Sequence, residues 1–280
     1  AGRGIVAGAG RMTTGTPSAA PRPYLLLQAR LASDTMRQHE EDCFRERLGV
    51  GDGELRVMSA LDAVPTRADL DACRGVVVGG SGDFSALDDL EWIRRLVDFC
   101  RYELILCGKP VFASCFGFQV LVLALGGKMI RDPDRMEMGS YDMRLSAEAL
   151  ADPVFGRLPP VFVAQVGHKD RAEMLPDGVI NYAGTELCPY HAFRVGSLPV
   201  WATQFHPELD EAGLRLRYLR YLDGYRPAGV TCDADDPFLR NIRPSPLATA
   251  LLGHFADFVA AHEPGMTRGA DAAVASEGGR

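Results

Sequence analysis

The chain has 280 residues, of which 47% are hydrophobic and 24% charged, and its formal net charge at pH 7 is −7. This composition is ordinary for a globular protein, and no block of Lys or Arg stands out, so nucleic acid is not an expected partner. No apolar run approaches the ~20 residues of a membrane-spanning helix. We therefore expect no contact with a membrane.

The two ends of the chain differ in composition from the rest. Residues 1–23 are rich in Gly, Ala, Thr and Pro and lack the apolar stretch of a secretory signal, which predicts a disordered leader. Met12 lies inside this leader and is a candidate for the native start. Residues 263–280 are rich in Gly and Ala and are predicted to form a mobile tail. Residues 24–262 are predicted to form the folded domain.

The first part of the chain alternates short apolar strands with helices. Strands that alternate with helices favour a mostly parallel sheet with helices on both faces, and hence the α/β class. The predicted strands are Tyr24–Gln28, Leu55–Ser59, Val76–Val78 and Pro110–Ser114, and the predicted helices are Asp34–Leu48, Leu87–Cys100 and Phe116–Leu125.

The second part of the chain has strand patterns with short connections and little helix between them. Two helices close it, the second of them amphipathic. The predicted strands are Tyr141–Leu145, Val161–Val166, Val179–Ala183, Ala192–Val195 and Val200–Phe205, and the predicted helices are Leu214–Leu222 and Leu247–Ala260.

Seven cysteines are spread along the chain. Their number is odd and none forms a Cys-x-x-Cys pair, which argues against a disulfide framework or a zinc site and favours a reducing, cytoplasmic location. Cys188 and His191 lie close in sequence but have no third partner nearby, so structural roles are expected for both. His39 precedes Glu, Glu, Asp and Cys43 on a charged helix, which is typical of a solvated face.

Cys115 stands in the segment Ala113-Ser-Cys-Phe-Gly-Phe-Gln119, between a predicted strand and a predicted helix. A nucleophile at such a turn is held clear of its neighbours, and the tight turn explains Gly117. The positive end of the following helix lowers the pKa of a thiol beside it. The alternative is that Cys115 is one more buried cysteine.

The segment Gln204-Phe-His-Pro-Glu208 follows a late strand. A cysteine nucleophile needs a base that also protonates a leaving amine, and histidine serves both purposes near neutral pH. The imidazole in turn needs an acceptor that fixes its tautomer, and Glu208 lies two positions after His206. Alone the segment could be a surface turn, but beside a cysteine elbow it predicts a Cys-His-Glu triad.

A glycine-rich loop, Gly79-Gly-Ser-Gly-Asp83, follows the strand Val76–Val78. Attack on an amide creates an oxyanion, which backbone N–H groups can stabilise. Gly80 and Phe116 are the candidate donors. A phosphate loop is the competing interpretation, and it fails because the loop has no Gly-Lys-Ser/Thr sequence and its spacing breaks the dinucleotide fingerprint.

Taken together, these segments resemble the class I glutamine amidotransferase family. The glycine loop, the Cys115 elbow, Gly126-Gly127, Glu137-x-Gly139 and the His206-Pro-Glu208 end follow one another as in that family. The resemblance covers roughly residues 24–210 and is strongest to stand-alone members similar to the glutaminase domain of GMP synthase. It implies a flavodoxin-like sheet with a small antiparallel extension.

The resemblance also implies a role for each matched residue. Cys115 would be the nucleophile, assisted by His206 and Glu208, and Gly80 and Phe116 would bind the oxyanion. The residues implied to contact substrate are Gly82, Gln119, His168, Lys169 and Asp170, with loop packing an equal alternative for His168. Two positions depart from the family pattern, since Ala113 and Lys169 stand where relatives often carry glycine.

The implied reaction is hydrolysis of the γ-amide of glutamine through a γ-glutamyl thioester, which needs no metal or organic cofactor. The ~70 residues after Glu208 are too few for an ATP-using domain of ordinary size. We therefore expect ammonia to pass to a separate synthetase. The alternatives are a γ-glutamyl peptidase acting on peptides or conjugates, and a silent binding module, which the complete triad argues against.

Overall fold

The computed structural model describes residues 22–222 and 236–263. Eleven strands lie in these ranges, and nine of them form one sheet. In chain order the strands are β1 (Tyr24–Gln28), β2 (Leu55–Ser59), β3 (Gly75–Val78), β4 (Val111–Ser114), β5 (Lys128–Arg131), β6 (Glu137–Leu145), β7 (Val161–His168), β8 (Asp170–Met174), β9 (Val179–Gly184), β10 (Ala192–Val195) and β11 (Val200–Thr203).

The main sheet has the strand order β2-β1-β3-β4-β11-β10-β9-β6-β7. Its first five strands run parallel to their neighbours, and the four that follow are antiparallel. A separate two-stranded sheet pairs β5 with β8. The predicted α/β class is therefore confirmed, with a mostly parallel central sheet and an antiparallel extension at one side.

Helices cover both faces of the parallel strands. They are α1 (Met36–Leu48), α2 (Arg67–Ala72), α3 (Glu91–Phe99), α4 (Phe116–Ala124), α5 (Ala147–Leu150), α6 (Glu211–Arg220), α7 (Pro237–Arg240) and α8 (Pro246–His262). Successive side chains of a strand point to opposite faces. Leu25 and Leu27 of β1 accordingly pack with α3 and α4, whereas Leu26 packs with α1 and α8.

The structure contains elements that the sequence pattern did not predict. Helix α2 is only six residues long and begins at a capping box formed by Thr66 and Asp69. Strand β8 has mixed polarity and is held by pairing with β5. Strand β6 begins at Glu137 rather than at Tyr141. The two strands depend on tertiary pairing more than on local hydrophobic periodicity, whereas α2 starts from a local capping signal.

The predicted leader and tail fall almost wholly outside the described residues, which include only residues 22 and 23 of the former and residue 263 of the latter. Met12 also lies outside them. Among the helices of the described ranges, none combines the length and the apolar character needed to cross a membrane.

Candidate active site

Cys115 lies on the sharp turn between β4 and α4. Its backbone has φ 51° and ψ −98°, and it is the one non-glycine residue with a positive φ in the described part of the chain. Its N–H donates to the carbonyl of Thr203 over 2.7 Å. A strained backbone that the surrounding strands hold in place is typical of a nucleophile elbow.

Glycine is required two residues after the nucleophile. A Cβ added at Gly117 would lie 2.7 Å from the carbonyl oxygen of Val78, which is closer than real Cβ contacts. The Gly117 N–H also donates to the carbonyl of Gly79 over 3.1 Å. The turn therefore packs directly on the end of β3. Ala113, in contrast, lies inside β4 with its side chain in the core, so the strand accommodates its methyl group.

The topology brings His206 to the same edge of the sheet as Cys115. Strands β4 and β11 are parallel neighbours, with Ser114 opposite Thr203, so the residues that follow them emerge side by side. The backbone N–H of His206 donates to the carbonyl of Gln165 over 2.9 Å, which fixes the segment against β7.

Glu208 orients the imidazole of His206. Nδ1 of His206 lies 2.8 Å from Oε1 of Glu208, and the same oxygen accepts a hydrogen bond from Nη1 of Arg217 over 3.0 Å. Oε2 of Glu208 accepts from the hydroxyl of Ser114 over 2.8 Å. The carboxylate is fully buried, and its three donors compensate for the loss of water.

The charges of this group act strongly on the histidine. Burial disfavours the imidazolium, but the negative charges and hydrogen bonds of Cys115 and Glu208 outweigh it and raise the pKa of His206 to about 10. Burial likewise disfavours a charged Glu208, yet His206, Arg217 and Ser114 hold the pKa of this carboxyl well below its usual range. The raised pKa of His206 and the lowered pKa of Glu208 favour an imidazolium paired with a carboxylate at neutral pH.

The sulfur of Cys115 faces a cleft of ≈870 Å³. Its neighbours include Nε2 of Gln204 at 3.6 Å and the carbonyl oxygen of Gly167 at 4.0 Å. A cleft of this size lies within the range of small-molecule sites. The sulfur is thus buried among polar groups and still borders a cavity.

The two predicted oxyanion donors differ in their surroundings. Phe116 is the first residue of α4, where backbone N–H groups have no partner within the helix. The N–H of Gly80 instead donates to Oε1 of the buried Glu40 over 3.1 Å. In this conformation the Gly80 donor is therefore engaged by a side chain from α1.

Two predicted substrate-binding residues, Gly82 and Gln119, line the cleft. Gly82 lies against the ring of Tyr221, so close that an added Cβ would be 2.0 Å from Cζ of the tyrosine. Gln119 lies one helical turn after the nucleophile, and its Nε2 donates to Oε1 of Gln204 and to the carbonyl of Asp170, each over 3.3 Å. The Gln119 side chain is therefore held by protein contacts, and the Tyr221 ring leaves no room for a side chain at position 82.

The other three predicted substrate-binding residues form the turn between β7 and β8, and all border the cleft. The imidazole of His168 points inward, with Nε2 at 3.1 Å from Oε2 of Glu137. The carboxylate of Asp170 accepts hydrogen bonds from Arg131 and Ser85. Lys169, between them, is half-buried. The packing alternative for His168 therefore matches its contacts in this conformation.

Sequence reasoning missed several residues that support this site. Ser114 and Gln204 lie inside the two segments that carry the predicted triad. Their position close to Cys115 and His206 in sequence could have identified them. Arg217 and Glu40 come from α6 and α1 and reach the site only through the fold. Tyr221 follows α6 and had no distinguishing pattern.

Comparison with known proteins defines the family. The family model described as "Glutamine amidotransferase class-I" matches residues 56–220, which is more than half of the chain. The chain therefore belongs to the class-I glutamine amidotransferase family. Members of this family are cysteine-dependent amidohydrolases.

The relatives with similar sequences match this chain over only part of their length. The GMP synthase (glutamine-hydrolyzing) of Shewanella piezotolerans is 28% identical over 159 residues, which cover 52% of this chain and 30% of that protein. The corresponding enzyme of Thermosipho africanus is 35% identical over 100 residues, covering 36% of this chain and 18% of that protein. The chain thus spans less than a third of the length of these relatives.

Solved structures share the fold over most of their length. A glutamine amidotransferase from Thermotoga maritima has a TM-score of 0.67 at 18% identity, with 86% of this chain and 99% of that chain covered. A glutamine amido transferase from Methylobacillus flagellatus has a TM-score of 0.63 at 22% identity, with 86% and 94% covered. At these identities the likeness establishes the flavodoxin-like fold.

Proposed function

We propose that this protein hydrolyses the γ-amide of glutamine, with Cys115 as nucleophile, His206 as acid and base, and Glu208 as the group that orients the imidazole. The observation that carries the proposal is the strained Cys115 turn beside a His206 whose Nδ1 is held by a buried Glu208. A binding module without catalysis would have no need for a backbone strained at the cysteine.

The proposed reaction has two halves. The Cys115 thiolate attacks the γ-carbonyl carbon, and the tetrahedral oxyanion forms next to the N–H of Phe116. The C–N bond then breaks while His206 gives its proton to the departing ammonia, leaving a γ-glutamyl thioester. In the second half His206 takes a proton from water, the hydroxide displaces Cys115, and glutamate leaves.

The electrostatics favour proton transfer at the right moment. The negative charge at Cys115 contributes to the raised pKa of His206, about 10, which keeps the proton on the imidazole before attack. Attack on the γ-carbonyl carbon removes that charge from the sulfur, because the new S–C bond moves the negative charge to the carbonyl oxygen of the tetrahedral intermediate. The pKa of His206 then falls, and the proton passes more readily to the leaving group.

The second oxyanion donor would require a local rearrangement. Oε1 of Glu40 occupies the N–H of Gly80. Substrate binding that turns this peptide toward the cleft, or withdraws the carboxylate, would add the Gly80 donor to that of Phe116. Removal of one such donor typically slows catalysis by ~10²–10³-fold, so the freed Gly80 N–H would accelerate the reaction substantially.

Ammonia would pass to a synthetase. Support comes from the relatives, which are glutamine-hydrolyzing GMP synthases. A second candidate is a γ-glutamyl peptidase. It is favoured by cations that border the cleft beyond the triad and could meet the carboxylate of a longer substrate, namely Arg131, Lys169 and Arg220.

The decisive experiment measures glutamate released from glutamine and from a γ-glutamyl dipeptide, side by side. Cys115→Ala should abolish release from both, whereas Cys107→Ala, which changes a half-buried thiol away from the cleft, should retain it. Turnover by Cys115→Ala equal to that of the unmodified protein would refute the proposal. The ratio of the glutamate release rates from the two substrates decides whether the protein is a glutaminase or a γ-glutamyl peptidase.

A further inference from the structure

Four buried side chains with metal-binding atoms meet beside the cleft. Glu137 begins β6, His168 ends β7, and Cys188 and His191 lie between β9 and β10. Each is at most 4% exposed. One donor atom from each lies within 4.8 Å of the others. The fold thus supplies the partners that Cys188 and His191 lacked in the sequence.

The donor atoms are those that zinc selects. Zinc is bound by thiolate sulfur, imidazole nitrogen and carboxylate oxygen, and four protein ligands are typical of structural sites. Nε2 of His168 and Nε2 of His191 lie 3.1 and 2.6 Å from Oε2 of Glu137. Neighbouring ligands of a tetrahedral zinc ion are ~3.4 Å apart, so these two oxygen–nitrogen distances need to change by less than an ångström to admit the ion.

The surroundings hold these ligands in place. The second carboxylate oxygen of Glu137 accepts a hydrogen bond from the hydroxyl of Thr185 over 2.6 Å. Thr185 also closes the turn that carries Cys188, through hydrogen bonds of 2.8 and 3.0 Å between the two residues. The N–H of His191 donates to the carbonyl of Ala183 over 2.7 Å. Support of this kind from outside the ligand set is characteristic of metal sites.

The buried carboxylate of Glu137 has two histidines as charged neighbours. Nε2 of His168 and Nε2 of His191 both face this carboxylate. The ion-pair contacts of the buried Glu137 are with these same two histidines. A buried carboxylate needs compensating positive charge, and a divalent ion bound between Glu137 and the two Nε2 atoms would supply it.

We propose that Glu137, His168, Cys188 and His191 form a structural zinc site. Zinc displaces the proton of the Cys188 thiol to solvent and forms one Zn–S bond, and each neutral imidazole shifts its proton from Nε2 to Nδ1 so that Nε2 can bind the ion. The site joins β6, β7 and the loop before β10. Because His168 borders the cleft and Gly167 contacts the Cys115 sulfur, the ion stabilises the wall that faces the nucleophile.

The test uses the full chain with Cys115→Ser, which removes the separate thiol–imidazole pair of Cys115 and His206. Zinc uptake is measured by competition with a chromophoric chelator, and Co²⁺ serves as a spectroscopic substitute. We expect one ion per chain, a cobalt–thiolate charge-transfer band and a raised Tm. Cys188→Ala and His191→Gln in the same background should weaken zinc binding by about 100-fold or more.

The control variants distinguish zinc binding at this site from zinc binding by other cysteine and histidine side chains. Cys43 and His39 form another cysteine–histidine contact, with 3.6 Å between Sγ and Nε2, and Cys43→Ala should leave binding unchanged. His191→Gln keeps an amide donor toward Glu137, so a purely hydrogen-bonded cluster would tolerate it. Failure of the Cys115→Ser protein to take up zinc, or equal affinity in the Cys188 and His191 variants, would overturn the proposal.

A further measurement covers the case in which the ligand variants fail to fold. The X-ray absorption spectrum of the zinc-loaded Cys115→Ser protein reports the ligand atoms directly. One sulfur with nitrogen and oxygen ligands supports the site. A shell without sulfur overturns it.

Discussion

The buried Glu40 of α1 accepts a hydrogen bond from the backbone N–H of Gly80, over 3.1 Å, beside the Cys115 turn. The same oxygen of Glu40 accepts from Nη2 of Arg30 over 3.1 Å and lies 4.0 Å from Nη2 of Arg217. Arg217 in turn contacts Glu208. A row of alternating charges therefore runs from the loop after β1 to the proposed triad. Its members are Arg30, Glu40, Arg217 and Glu208.

Glu40→Gln should lower the free energy of unfolding by about 2–3 kcal/mol. The change removes the charge that faces the buried Arg30, and hydrogen bonds to charged groups are worth about that amount. Urea denaturation measures the effect. Glu46→Gln changes an exposed carboxylate on the same helix and should stay within about 0.5 kcal/mol. Equal stability of the two variants would contradict a structural role for the Arg30–Glu40 pair.

Tyr221→Phe should also destabilise the protein, by about 1–2 kcal/mol. The tyrosine hydroxyl donates to Oδ2 of Asp34 over 2.6 Å and accepts from Nη1 of Arg30 over 2.5 Å. The Phe ring still covers Gly82, so KM for the better substrate should not change. Tyr102→Phe alters a ring that is 64% exposed and serves as the control. A large rise in KM with no loss of stability would place the hydroxyl in substrate binding instead.

The fold class was predictable because its strands carry their own signal. Val76–Val78 and Tyr24–Gln28 are continuous apolar runs, as expected for strands buried on both faces. Strand β8 has no such run, since Asp170 and Glu173 interrupt it, and only pairing with β5 makes it a strand. Strands with their own apolar run can be predicted from the sequence, whereas a strand that is stabilised only by its pairing partner cannot.

The same division applies to the site. Cys115, His206 and Glu208 stand in short segments whose spacing suggests their chemistry. Glu40 acts on Gly80 from another layer of the fold, and no local pattern reveals this. Cys188 and His191 are predicted to have structural roles because Glu137 and His168 are distant from them in sequence. The pairing of β6 with β7 places Glu137 opposite His168, and the loop before β10 reaches Glu137 through Thr185 and His191.

Gly117→Ala should lower the free energy of unfolding by about 1–3 kcal/mol and reduce turnover. Its new Cβ would lie 2.7 Å from the carbonyl oxygen of Val78, so the Cys115 turn must shift. Gly253→Ala is the matched control, because its nearest neighbour would be 3.8 Å away and the residue lies inside α8. There alanine should stabilise by about 0.5–1 kcal/mol. Similar effects at both positions would argue against tight packing at the turn.

Cys115→Ala should lower the pKa of His206 from its raised value of about 10. Burial by itself lowers this pKa, and the charge at Cys115 is the largest influence that raises it, ahead of Glu208. At pH 9 the imidazole is therefore mostly protonated in the unmodified protein and should be less so in the variant. NMR titration of labelled histidine side chains measures this. His254, whose pKa burial holds below the ordinary value, should titrate identically in both proteins. An unchanged His206 titration would show that no charge at the sulfur acts on the imidazole, and the proton transfer proposed for the leaving ammonia would lose its basis.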